Sequence, residues 1–193
     1  PKSIYAILWS ISPDNPQPGH LLNVFFYALT GFLLFITMVK YLNNLYIPFF
    51  SFFLFMVHPI HTEVTASIKS MDEMLGFMFF IISLLLIHRY ISTGKMTMLI
   101  IACVSYMAAL MSKESSITFI AIVPLAIYFF TKADLPKNIT TTAAMFGVAL
   151  LFLLIRYSIL KDNNAGPPAV ADNSLMAAKD FATKMAVPNL FSM

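Results

Sequence analysis

Six apolar runs follow one another along this chain, at 21–39, 45–57, 74–87, 98–111, 115–130 and 139–155, with short polar stretches between them. A helix that crosses a bilayer needs about 20 residues, with a lower limit of roughly 17. Only the first and last runs reach that limit unaided. The others reach it by drawing polar flanks towards the membrane, for example over 48–68 and 70–90. The pattern predicts about six transmembrane helices, with stretches such as "HPIHTE" at headgroup depth, lining a protein-enclosed cavity. Ahead of the runs, "SPDNPQPGH" and Pro1, Pro13, Pro16 and Pro18 predict an irregular, water-facing segment. Behind them, "KDNNAGPPAVADNS" leaves the membrane. Residues 175–187 then predict a short amphipathic helix, capped by Ser174, carrying an Asp180–Lys184 pair and stopped by Pro188.

Composition points the same way. Of 193 residues, 59% are hydrophobic and 11% charged, and the mean hydropathy is +0.80. A soluble domain is nearer 45–50% apolar, with about a quarter of its residues charged. The fold class expected is therefore all-α, a polytopic membrane helical bundle in one domain. Cys103, the single cysteine, lies in an apolar run and reads as a small buried residue. The basic residues are scattered and form no stripe, which argues against nucleic acid as a partner. The chain starts at Pro1, shows no signal-peptide pattern and stops at Met193 just after a Pro-Asn break, so 1–193 reads as part of a longer protein.

Six crossings place alternate loops on opposite sides. The loops 40–44, 88–97 and 131–138 hold five basic residues (Lys40, Arg89, Lys95, Lys132, Lys137) against one acid, Asp134. Basic density in short loops marks the cytoplasmic side. The sequon at Asn138 falls there and is expected to stay unglycosylated. The N-terminal segment, 58–73, 112–114 and the tail from 156 then face a periplasm or lumen. They carry His20 and Asn23, "HPIHTEVTASIKSMDE", "SKES" and the Asn/Pro-rich stretch 161–174. Charges at membrane depth cost about 2.5–3.5 kcal/mol each on insertion scales, so four polar clusters on one face suggest a shared site.

Each cluster also has a plainer reading. His58, His61 and Glu63 have the residue types of a zinc set, but Pro59 disturbs the spacing and metal binding is only weakly supported. Thr62 could instead cap a short helix with Glu63 in its first turn. Ser70 and Glu73 match a capping box, which assigns Glu73 a structural role and leaves Asp72 as the candidate. Lys69 could snorkel to headgroups or hold a phosphate. Ser112 could cap the next helix, with Glu114 in its first turn. Lys113, in a turn of a few residues between two apolar runs, must face headgroups, Glu114 or an anionic ligand. His20 and Asn23, one turn apart, suit interfacial anchoring. Arg156 could snorkel or clamp a phosphate.

The series "P-x7-W … PGHLLN … HPIHTEVTASIKSMDEML … SKES" resembles the multispanning GT-C glycosyltransferases that carry C-terminal tetratricopeptide repeats, among them the transmembrane and tetratricopeptide-repeat-containing protein O-mannosyltransferases and their bacterial relatives. Ser70-Met71 stand where relatives carry a Gly-Arg-like pair, and Tyr27 where many carry His. The resemblance implies a GT-C-like bundle at an inner or endoplasmic reticulum membrane, a polyprenyl-phosphate-linked sugar donor, an outward-facing site, and inverting transfer to a hydroxyl of a protein or glycan acceptor. It places the main catalytic acid upstream of Pro1, with Asp14 the one acid left in that outer loop, and the repeats downstream. On this reading His58, His61, Lys69, Lys113 and Arg156 contact donor phosphate or sugar, with His20 and Asn23 beside them, while Glu63, Asp72 and Glu114 bind hydroxyls or orient those bases. No cofactor is certain from the sequence, and a divalent metal is only weakly supported. The alternative class is a non-catalytic transporter or lipid-binding scaffold, but no Gly/Pro-interrupted pair of runs recurs in two halves.

Overall fold

A computed structural model describes residues 17–59 and 70–162, together with Ile4, Ser10, Asn15 and His61. Among the described residues the chain is helical and has no strand. The elements are α1 (Gln17–Leu42), α2 (Tyr46–Val57), α3 (Met71–Thr93), α4 (Met96–Ser112), a 3₁₀ helix (Glu114–Ala121), α5 (Ile122–Phe130) and α6 (Leu135–Asp162). The chain divides into two compact units, Pro1–Phe152 and Leu153–Met193. The second, where described, is the end of α6. The expected amphipathic helix at 175–187 lies outside the described residues.

All six apolar runs are helical. Three helices, α1, α3 and the Leu135–Ile159 part of α6, are long and apolar enough to cross a membrane by length and composition. At about 1.5 Å per residue they measure roughly 34–39 Å, against a hydrocarbon core of about 30 Å. Tyr46–Val57, Met96–Ser112 and Glu114–Phe130 are shorter apolar helices. The expected continuous helix over 48–68 does not form. Pro59 disfavours the helical region for the residue before it, so His58 turns extended (φ −65°, ψ 124°) and α2 stops at Val57.

Local chemistry sets the other boundaries. Asn43 takes a left-handed φ of 47° just past α1, and its N–H donates to the Val39 carbonyl at 3.0 Å. The Asn44 side chain then accepts from the N–H groups of Tyr46 and Ile47, starting α2. Gly94, at φ 69°, closes α3 with its N–H on the Tyr90 carbonyl. Two expected caps are absent. Ser70 makes no side-chain cap to α3, and Ser112 donates back to the Ala108 carbonyl instead of capping the 3₁₀ helix. In each case another group serves the turn: Asp72 accepts from the Glu73 N–H, and Lys113 in extended conformation breaks α4 from the 3₁₀ helix.

Helices α3 and α4 form the centre of the first unit. Ser83 Oγ donates to the Ala102 carbonyl and Ser105 Oγ to the Phe79 carbonyl, at 2.9 and 2.8 Å. Small hydroxyl residues of this kind let apolar helices approach closely and hydrogen-bond where lipid supplies no partner. Phe80, Tyr106, Val123, Ile127 and Met145 fill the core around them. A second cluster of Met71, Leu75 and Met78 meets Leu22, Phe26 and Leu29 of α1. Gly31 brings α1 against α2: a Cβ there would stand 2.6 Å from Met56 Sδ. Tyr41 OH donates to the Leu84 carbonyl, and Lys137 Nζ donates to the Ile91 carbonyl. These contacts gather the ends of α1 and α3 with the start of α6.

Candidate functional site

The opposite end of α3 carries the site. Its first turn brings Asp72 and Glu73 against Lys113, in the break between α4 and the 3₁₀ helix. Lys113 Nζ lies 3.0 Å from Glu73 Oε1 and 3.2 Å from Asp72 Oδ2. The approach depends on Gly76, one turn along α3, where a Cβ would stand 3.2 Å from Lys113 Cβ and 2.7 Å from Ser116 Oγ. The 3₁₀ helix holds Ser116 and Phe119 against α3, and runs of that geometry longer than 3–4 residues are uncommon.

A cleft of about 350 Å³ opens beside this group. Tyr27 and Thr30 of α1, Phe55 of α2, His61, and Glu73, Met74 and Phe77 of α3 form part of its wall. Lys113, Ser115, Ser116 and Phe119 complete it. Part of the lining is aromatic. Phe55 stacks on Tyr27 with ring centroids 5.6 Å apart, and Phe77 lies 6.1 Å from Phe55 and 5.8 Å from Phe119. The Tyr27 hydroxyl donates to the carbonyls of Phe55 and Met56 at 2.8 and 3.1 Å. It thereby satisfies acceptors that the end of a helix leaves open. The polar groups of the lining are Thr30, His61, Glu73, Lys113, Ser115 and Ser116, beside the Tyr27 hydroxyl.

Hydrogen bonds to Glu73 and then Asp72 hold the Lys113 ammonium above the usual lysine range. The lysine is cationic, yet one positive charge is shared between two carboxylates. A free anion entering the cleft would have to displace one of them. His61 packs 4.4 Å from Phe55, centroid to centroid, and 5.9 Å from His58. Burial first, and the His58 ring second, push its imidazole below the usual range, towards the neutral form.

The structure thus brings His61 and Lys113 to one cleft, with Asp72 paired to the lysine but not part of the lining. His58 is exposed, and its ring neighbours His61 outside the lining. Glu114 is exposed in the first turn of the 3₁₀ helix. His20 and Asn23 part company: His20 is exposed, while Asn23 is fully buried on the helix face that carries Tyr27 and Thr30. Interfacial anchoring is therefore the wrong reading for Asn23. Arg156 is exposed on the last turns of α6, in the second unit. Glu63, Lys69 and the expected Thr62 cap lie outside the described residues. Among the described residues, no group of three His, Cys, Asp or Glu side chains is placed to hold a metal ion. Met71 is fully buried in the apolar cluster.

Glu73 is the main correction. The capping-box reading made it structural, but no such cap forms, and its side chain reaches Lys113 and lines the cleft. Tyr27, Phe55, Phe77 and Phe119 were also missed as lining. Their residue type is common along the whole chain, and only folding distinguishes the four that face the cleft.

The chain is similar to a human protein O-mannosyl-transferase. It is 28% identical to Homo sapiens protein O-mannosyl-transferase TMTC3 over 147 residues, which is 74% of this chain and 16% of that protein. The chain therefore spans about a sixth of the length of this curated relative. No protein-family model matches it, and no solved structure does.

Proposed function

We propose that the chain forms part of a membrane glycosyltransferase. It moves a sugar, mannose by analogy with the human relative, from a polyprenyl-phosphate donor to a hydroxyl of a protein or glycan acceptor. The cleft is the donor head-group site and faces the periplasm or lumen. The observation that carries this reading is the placement of a lysine, held by two carboxylates, in a cleft that is also lined by aromatic rings. A polyprenyl-phosphate sugar has matching parts, a phosphate beside a sugar and an isoprenoid chain. Phosphate leaves well without a general acid. Transfer then needs positive charge where the phosphate departs and a base for the acceptor proton. Lys113 supplies the charge, and His61 lines the same cleft. Human TMTC3, named as a protein O-mannosyl-transferase, supports the reaction class.

The test is sugar transfer by purified full-length protein, given polyprenyl-phosphate mannose and glucose with an acceptor. Transfer is expected, and Lys113→Ala should lower it by about a hundredfold or more, the usual cost of deleting one donor that stabilises developing charge. Full activity in that variant would overturn the assignment. Absence of transfer together with lipid-linked flux across vesicles would favour the transporter class.

A further inference from the structure

The two carboxylates that hold Lys113 are not equivalent. Both oxygens of Asp72 are committed: Oδ1 accepts from the Glu73 N–H at 3.0 Å, and Oδ2 takes Lys113 Nζ at 3.2 Å. Its side chain is 30% exposed, and it does not line the cleft. Glu73 commits only Oε1, to Lys113 at 3.0 Å. Its side chain is 55% exposed, and Glu73 is the one carboxylate among the cleft's described lining residues. Its second oxygen has no protein partner among the described residues. The same lining carries aromatic rings and the hydroxyl-bearing Ser115 and Ser116. A carboxylate oxygen open to a cleft walled by rings suits a saccharide. Its hydroxyls donate to the carboxylate in charge-assisted bonds, and its C–H face packs on a ring.

We infer that Glu73 is the carboxylate that binds sugar hydroxyls, and that Asp72 is a positioning residue that keeps Lys113 at the cleft when Glu73 turns to the sugar. This rests on the reading of the cleft as a donor head-group site and adds a division of labour to it. An incoming phosphate takes the place of Glu73 on Lys113, and the carboxylate so released accepts from the sugar. Lys113 stays tethered through Asp72, whose other oxygen is anchored at the first turn of α3. The competition between two acids for one lysine thus becomes an exchange that ligand binding completes.

The experiment is equilibrium binding to full-length protein in lipid nanodiscs, with three probes: polyprenyl phosphate and its mannose and glucose derivatives. Wild type should prefer a sugar-bearing probe to the bare phosphate. Glu73→Gln removes the carboxylate that the phosphate must displace, so it should bind the bare phosphate at least as tightly as wild type, while the preference for the sugar-bearing probe over the bare phosphate should fall by about tenfold or more, the value of a hydrogen bond to a charged group. Asp72→Asn should weaken all probes alike and keep the preference. Glu73→Asp preserves the negative charge at the first turn of α3 but withdraws the carboxylate, so it should lose the preference while its thermal unfolding matches wild type. Retention of the preference in Glu73→Gln, its loss in Asp72→Asn, or its absence from wild type would overturn the inference and leave the donor site standing. Failure of wild type to bind any of the three probes would overturn both.

Discussion

Gly76 and Ser116 meet where the 3₁₀ helix crosses α3, so closely that a Cβ on the glycine would stand 2.7 Å from the serine Oγ. Ser116 is buried, at 2% exposure, so it has little room to retreat. This contact sets how near Lys113 comes to Asp72 and Glu73. Gly76→Ala should therefore lower stability by about 1–3 kcal/mol, the usual cost of overpacking, and weaken donor binding with it. Gly147→Ala is the control, since nothing beyond its chain neighbours and its own helix backbone lies within 4 Å of its Cβ position, and it should cost nothing. Unfolding in mixed detergent would measure both.

The serine pair between α3 and α4 offers a second prediction. Ser83→Ala and Ser105→Ala each remove one hydrogen bond to the facing helix. Each should cost about 0.6 kcal/mol, with an upper value near 1.7, as is usual for interhelical hydrogen bonds in membranes. The two bonds brace the same helix pair, so a double-mutant cycle should show coupling between them.

Tyr27→Phe keeps the stack on Phe55 but withdraws the donor from the carbonyls of Phe55 and Met56. About 0.5–1.5 kcal/mol of stability should be lost. The end of α2 should loosen, read as faster amide exchange near His61.

The fourth prediction concerns pH. The fold favours neutral His61, so its pKa lies below the usual 6.5. A group with a depressed folded pKa contributes stability above its unfolded pKa and loses it as pH falls through the folded one. Stability should therefore decline as pH drops below 6.5, and His61→Gln should remove that part of the decline. His58→Gln should move the His61 pKa upward but not back to 6.5, because burial is the larger cause. An NMR titration of the imidazole carbons would check it.

The helices were legible because each depends on a local property. Long apolar runs must satisfy their backbone groups internally wherever they lie, and they are punctuated locally: Asn43 and Gly94 take positive φ, the Asn44 side chain accepts from the next N–H groups, and Pro59 holds His58 extended. The caps at Ser70 and Ser112 were misread because a capping pattern competes with whatever else reaches the same turn. In the expected box that starts at Ser70, Asp72 takes the Glu73 N–H and the Glu73 side chain goes instead to Lys113, 40 residues along the chain.

By itself, the sequence determined an all-helical, apolar chain and the polar residues from which a site could be built. Only the tertiary structure decided which of them meet. Side chains separated by 40 residues, as Glu73 and Lys113 are, come within 3.0 Å because Gly76 lets two segments touch. That crossing is a property of packing between helices, and no periodicity within either helix encodes it. The same crossing sorted two adjacent acids, identical in charge, into one anchored at a helix start and one open to the cleft.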